Sequence, residues 1–313
     1  MLMHLKGALV MMQLRFSNTA VRLAKGKEMN TKYVVITGVS SGIGRATAGE
    51  LLKHGYHVFG SVRQVEDGGA LQAKLGPMFT PLLFDVTDEA AIKAAADKVA
   101  RSVSGQGLFA LINNAGIAIG GPLMHQPLDE VRHVLEVNAL GMLAVTQAFL
   151  PLLGARIPQT TPPGRIVNVS SVSGKISLPF LGAYVTSKHA LEAMSDVLRR
   201  ELMLYGIEVS VIEPSAVRTE IWDKAEQQDL SRYQQTDYKG LLEKFQQKVV
   251  ARGRASASSE AVARVIYGVL ESNKPRTRYA LPDHYFKGWL LPRLLPDRAF
   301  DRMIASQIGL VHR

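Results

Sequence analysis

Seven short runs rich in β-branched and aromatic residues, each separated from the next by a longer segment of helical periodicity, most constrain how this chain folds. The runs are Tyr33–Thr37, His57–Val62, Phe79–Asp85, Leu108–Asn113, Arg165–Ser170, Glu208–Glu213 and Arg278–Leu281. Between them lie segments such as Ala90–Val103, Leu128–Leu150 and Ala183–Tyr205, where apolar residues recur three and four positions apart. Strands that are apolar at nearly every position need cover on both faces, and alternation with helices provides it as a parallel sheet between two helical layers. The expectation is therefore α/β: a single doubly wound domain over residues 31–282 with a mostly parallel, roughly seven-stranded sheet. Gln159–Gly164 is too short for a domain linker and reads as a loop. The polar, helical stretch Trp222–Ala255 reads as an insertion near a cleft.

Composition narrows the function. The 313 residues contain no cysteine, which excludes disulfides, thiolate metal sites and cysteine nucleophiles and fits a reducing, cytoplasmic compartment. The net charge of +10 sits at the ends. Residues 1–30 carry +4 and residues 271–313 another +4, so the long centre is almost neutral. A nucleic-acid footprint would be a basic stripe on a folded element, and none is present in the centre. Residues 1–30 are acid-poor and Met-rich; they read as a disordered leader ending near Met29, with an organelle presequence and a signal peptide as competing readings. Residues 283–313 read as a C-terminal amphipathic helical extension with Arg293, Arg298 and Arg302 beside its apolar positions. It either closes over the core or a cleft or makes peripheral contact with a membrane.

The first strand runs into Gly38-Val-Ser40-Ser41-Gly42-Ile43-Gly44, where a strand gives way to a helix. Glycines there let the backbone turn tightly, and the helix N-terminus favours an anion such as a pyrophosphate, the Rossmann-like arrangement. The second strand ends in Val62-Arg63 with no carboxylate. A basic side chain at that point suits a ribose 2′-phosphate, so NADP(H) is favoured over NAD(H). Asp85 and Val86 follow the third strand, where an adenine ring would lie; an acid there is also a common helix cap. After the fourth strand, Asn113-Asn114-Ala115-Gly116 can line a cofactor or simply form an Asx turn. The fifth strand leads to Ser171, and Tyr184 and Lys188 sit four residues apart on one helix face. An ammonium beside a phenol lowers its pKa from about 10 towards neutrality and makes it a general acid/base for an alcohol or carbonyl oxygen. Ser171 would bond the same oxygen. The eight histidines show no metal-binding spacing, so no metal is expected, and there is neither a Gly-Lys-Ser/Thr loop nor a Gly-x-Ser-x-Gly elbow.

Taken in order, Thr37-Gly38, Gly42-Ile43-Gly44, Asn113 to Gly116, Asn138, Ser171 and Tyr184-x-x-x-Lys188 resemble the short-chain dehydrogenase/reductase family, in its compact branch, over about residues 32–282. The resemblance implies an NADP(H)-dependent interconversion of an alcohol with a ketone or aldehyde. In that reading Tyr184 is the acid/base, Lys188 holds the nicotinamide ribose, Ser171 orients the substrate oxygen and Asn138 holds the water of a proton relay. Thr219 would bind the carboxamide, with Pro214 and Val217 on the same loop. Ser215 stands where the family commonly has glycine, which puts the geometry of that loop in doubt. The resemblance also implies a homodimer or homotetramer. Three partly apolar segments, Lys175–Gly182, the region of Ile221 and Trp222, and the run from Tyr285 and Phe286 to Trp289, are candidate cleft walls for a lipophilic substrate such as a steroid, retinoid or long-chain carbonyl compound. A nucleotide-sugar epimerase holding NAD and a non-catalytic NADP(H)-binding protein are the alternatives.

Overall fold

A computed structural model describes residues 31–310. The leader reading falls on residues 1–30, which lie outside the described residues. In chain order the elements are β1 (Tyr33–Ile36), α1 (Gly42–Lys53), β2 (His57–Val62), α2 (Val65–Leu75), β3 (Phe79–Leu83), α3 (Glu89–Ser102), β4 (Ala110–Asn113), α4 (Leu128–Leu135), α5 (Gly141–Phe149), β5 (Arg165–Val169), α6 (Gly182–Glu201) and β6 (Glu208–Pro214). They continue with β7 (Val217–Arg218), α7 (Ile221–Glu226), α8 (Lys239–Arg254), β8 (Ala257–Ser258), α9 (Ser259–Glu271), β9 (Arg278–Leu281), α10 (Leu291–Leu294) and α11 (Asp297–Ile308).

The seven-stranded sheet has the order β3-β2-β1-β4-β5-β6-β9, and every neighbouring pair is parallel. The doubly wound α/β expectation therefore holds. Val34 and Ile36 face one helical layer and Val35 the other, and all three are fully buried. One layer presents Ile92, Ala95 and Val99 of α3 with Val145 and Phe149 of α5. The other presents Ala48 and Leu51 of α1 with Val262, Ile266 and Val269 of α9. Each fully buried Leu, Ile or Val contributes about 2 kcal/mol, which is why the strands read as continuous apolar runs.

Winding reverses between β1 and β4, so the loops leaving their C-terminal ends diverge and open a crevice there. Two features depart from the sequence expectation. The segment Leu128–Leu150 is not one regular helix: a π turn, Glu136–Leu140, separates α4 from α5 and carries Asn138 at its centre. The small parallel pair β7–β8, two residues each, was not foreseen, because two residues give no periodicity. The helical run Leu128–Leu153 is long and apolar enough to cross a membrane by length and composition, yet half of its most apolar 18-residue stretch is buried in the domain, where α5 covers the sheet. At the C-terminus, Leu295 is extended ahead of Pro296, as a residue before proline tends to be, and this separates α10 from α11.

Candidate active site

The C-terminal ends of the strands bring the sequence-selected residues to one edge of the sheet. Gly38 and Gly42 adopt left-handed φ values of 69° and 56°, which a side chain would oppose. Helix α1 starts at Gly42 without a side-chain cap: Ser41 is its N-cap residue and makes no capping bond, and the first turn contains no acid. An anion from elsewhere meets that end instead. Glu220 accepts from the Gly42 amide at 3.1 Å and pairs with Arg45 at 2.5 Å. The carboxylate oxygen stands in for the kind of oxygen a phosphate would offer, so this turn suits the anionic part of a dinucleotide.

Asn114 does not form an Asx turn. Its side-chain amide donates to the carbonyls of Thr37 and Gly38 at 2.9 and 3.0 Å. In return, Thr37 Oγ1 accepts from the amides of Asn114 and Ala115. The two turns are thus locked together, and Ala115 packs against Gly38 closely enough that a Cβ there would lie 3.0 Å from its Cα. Gly116 is exposed beside Asn138 and Lys188.

Asn138 is fully buried, and its side chain clasps the loop after β4 by accepting from the Ile117 amide and donating to its carbonyl, both at 2.8 Å. It also donates to Ser187 Oγ at 2.9 Å, tying the π turn to α6. Asn138→Ala should leave the Ile117 amide and carbonyl without partners, Ser187 Oγ keeping its bond to the Tyr184 carbonyl, and cost about 2 kcal/mol of stability, which urea unfolding would measure as a lower midpoint at unchanged slope.

Ser171 is buried, and its hydroxyl accepts from the Ser173 amide at 3.1 Å and lies against the Tyr184 phenol. Lys188 is almost completely buried, with Nζ donating to the Val169 carbonyl at 3.0 Å and lying 5.8 Å from the Tyr184 ring centre. Burial lowers its pKa to about 8, partly offset by the Glu192 carboxylate. The expected lowering of the tyrosine is not what the structure has. Burial raises the Tyr184 phenol above its ordinary value, and the opposing pull is the hydrogen bond from Ser171. Desolvating a phenolate costs more here than that hydrogen bond returns.

Arg63 is exposed, and its guanidinium lies 3.9 Å from the Asp85 carboxylate across the ends of β2 and β3. Asp85 otherwise accepts from the Thr87 amide and hydroxyl, while Asp88 is the residue that caps α3. The Val86 side chain packs into the core. On the loop after β6, Pro214 and Val217 are buried, and Thr219 packs its methyl against Gly42. Ser215 avoids left-handed backbone, which among the described non-glycine residues occurs only at Ser104 and Phe180, so serine in place of glycine brings no strain. The Trp222 indole packs onto Gly253 and donates to the Val217 carbonyl, and Tyr285 and Phe286 are exposed. Phe180 and Trp289 are the buried aromatics of the candidate cleft-wall segments, Phe180 in a cluster with Tyr233, Leu242 and Phe245. Sequence reasoning passed over Glu220, Glu192 and Glu213, each of which reads along the chain as one more surface charge.

The family model for short chain dehydrogenases matches residues 32–230. An NADPH-dependent 3-dehydrocapnine reductase from Ornithobacterium rhinotracheale is 39% identical over 277 residues, 88% of this chain and 97% of that protein. Retinol dehydrogenase 16 of Mus musculus is 40% identical over 199 residues, 63% of this chain and 60% of the relative. Among solved structures, a short-chain dehydrogenase from Streptomyces avermitilis superposes with a TM-score of 0.69 at 26% identity, covering 90% of this chain and 98% of the other.

Proposed function

The chain belongs to the short-chain dehydrogenase/reductase family, and from that premise we propose that it is an NADP(H)-dependent oxidoreductase interconverting an alcohol and a ketone or aldehyde on a lipophilic substrate. The observation that carries the reading is the convergence of Ser171, Tyr184 and Lys188 at the sheet edge beside the anion-accepting turn at Gly42. When bound, the nicotinamide supplies or accepts the hydride. In reduction, Tyr184 gives its proton to the carbonyl oxygen as that oxygen gains charge, and Ser171 Oγ hydrogen-bonds the same atom. A phenol held above its ordinary pKa is fully protonated at neutral pH, the state a reductase needs. Lys188 keeps its charge in most molecules at pH 7 and stabilises the phenolate left behind. Asn138 holds the loop that carries Gly116 and supports a water passing the next proton inward.

Arg63 supports NADP(H): it is the cation at the end of β2, exposed and held by Asp85 only at 3.9 Å, within reach of a 2′-phosphate. In Arg63→Ala, the KM for NADPH should rise about tenfold, the size of one charge-assisted contact, while the KM for NADH stays within twofold to threefold. Equal losses for the two cofactors would remove the assignment. The same NADPH absorbance assay, run over steroids, retinoids and aliphatic carbonyls, tests the substrate class. That class is supported by the Phe180 cluster and by similarity to a retinol dehydrogenase. Exposed Met203 and Leu204 at the end of α6 support self-association as a homodimer or homotetramer. Exposed Tyr285, Phe286 and Leu294 beside Arg293 and Lys287 support a cytoplasmic enzyme that touches a membrane surface.

A further inference from the structure

Behind Lys188, on the side away from Tyr184, lies a buried group of charges that the proposed chemistry does not use. Glu192 follows Lys188 by one turn of α6 and is 2% exposed; Glu213, near the end of β6, is 0% exposed. Their carboxyls meet side chain to side chain. Glu192 Oε2 pairs with Lys175 at 3.2 Å and with Arg278 Nε at 2.9 Å, while Arg278 Nε stands 3.4 Å from Glu213 Oε1. Asp196, one turn further along α6, holds the other side of the Arg278 guanidinium at 3.0 Å and pairs with Arg199. The elements packed around the pair thus contribute Lys188 and Asp196 from α6, Arg278 from β9 and Lys175 from the turn after β5.

Glu192 Oε1 and both oxygens of Glu213 make no hydrogen bond to the protein's own groups: Arg278 Nε stands off Glu213 Oε1 at 3.4 Å, and Arg278 Nη2 also makes none. Two adjoining carboxylates in a dry interior resist ionising together, and below about pH 7 one proton held between them supplies the missing donor. We propose that Glu192 and Glu213 act as a proton-sharing pair of positioning residues that sets the charge on Lys188, and through it the readiness of Tyr184 to exchange a proton. The proposal rests on the reading of Tyr184 and Lys188 given above.

The placement gives the pair its leverage. A Cβ on Gly174 would lie 2.8 Å from Ser170 Oγ, 2.9 Å from Glu192 Cγ and 3.2 Å from the Lys188 carbonyl, so the pair abuts the turn that carries Ser171. Glu213 directly precedes Pro214 and the loop bearing Thr219. Burial, and then the neighbouring Glu192 charge, raise Glu213 to about 7, while Glu192 holds up the proton affinity of Lys188, which titrates at about 8. As pH rises through 7 the pair passes from one negative charge to two, and the second charge helps Lys188 keep its proton over the next pH unit.

The test uses the full-length protein with isotope-labelled lysine and follows Lys188 by NMR, its signal identified by loss in Lys188→Met. In Glu192→Gln, Lys188 should release its proton about one pH unit lower, a tenfold loss of proton affinity. Glu213→Gln mimics the protonated acid and so should fold even where Glu192→Gln, which loses two ion pairs, does not. It should lower the Lys188 titration by a smaller amount and remove the inflection near pH 7 from the kcat profile. An unmoved Lys188 titration in Glu213→Gln would overturn the proposal, since a purely structural pair would change stability and leave that titration in place. The NMR readout does not depend on turnover. Activity surviving in Tyr184→Phe would instead overturn the catalytic reading, so the two failures are distinguishable.

Discussion

Tyr184→Phe should reduce kcat for carbonyl reduction about a thousandfold, the middle of the range for a general acid–base residue, while leaving NADPH affinity within about tenfold, since loss of one hydroxyl contact costs about 0.5–1.5 kcal/mol. The substitution deletes one oxygen. Its ring stays half-buried on α6, and the hydroxyl partner it loses is Ser171, which still accepts from the Ser173 amide. Stability should therefore change little, and the loss is read as chemistry. Reduction needs a proton at the carbonyl oxygen when the hydride arrives, and phenylalanine has none to give. Stopped-flow NADPH oxidation alongside fluorescence titration of NADPH separates the two quantities. A variant retaining more than a tenth of the wild-type kcat would show that another group, or water, protonates the product.

Gly44→Ala should be the most damaging small substitution in the protein, lowering stability by about 3 kcal/mol, the upper end for overpacking a rigid site. A Cβ at Gly44 would fall inside contact distance of the Gly38 carbonyl oxygen and of Asn114 Nδ2. Neither neighbour can yield. The carbonyl belongs to the left-handed turn at Gly38, and the amide is the one that bonds the Thr37 and Gly38 carbonyls. Moving α1 away by the required distance would break that pair of bonds and open the anion-accepting turn at Gly42. Cofactor affinity should fall at least tenfold along with stability, since about 1.4 kcal/mol of binding suffices for that. Gly49 is the internal control: it lies in the same helix with nothing within 4 Å of its would-be Cβ. Gly49→Ala should be neutral or stabilising by up to about 1 kcal/mol. Thermal unfolding of the two variants with and without NADPH decides the matter, and equal effects would refute the packing argument.

Much of this protein was legible along the chain. All seven strands of the main sheet lie within two residues of the runs that announced them, because a strand buried on both faces must be apolar at nearly every position. The glycine turn and the meeting of Ser171, Tyr184 and Lys188 were equally legible as positions, since their spacing and their place on a strand end or helix face carry the signal. What escaped was of another kind. Asn114, read as lining a cofactor or forming an Asx turn, also braces the turn after β4 against the turn after β1, bonding Thr37 77 residues away. Trp222 looked like a cleft wall and packs on Gly253. Glu192 sits on a helix among polar residues and gives no sign that it is buried.

The sequence by itself therefore determined the architecture and which candidate residues meet at the strand ends, because both depend on periodicity and on residue types at short spacing. The tertiary structure decided the charge state of that set. Glu213 reaches Glu192 across the β6–α6 packing, Arg278 comes from the edge strand, and the solvent that would have screened them is gone. A pKa depends on desolvation and on charges a few ångströms away, neither of which is written in the order of the residues. That is why a tyrosine expected to be lowered by its lysine is held above its ordinary value by burial, and why the lysine itself titrates at about 8.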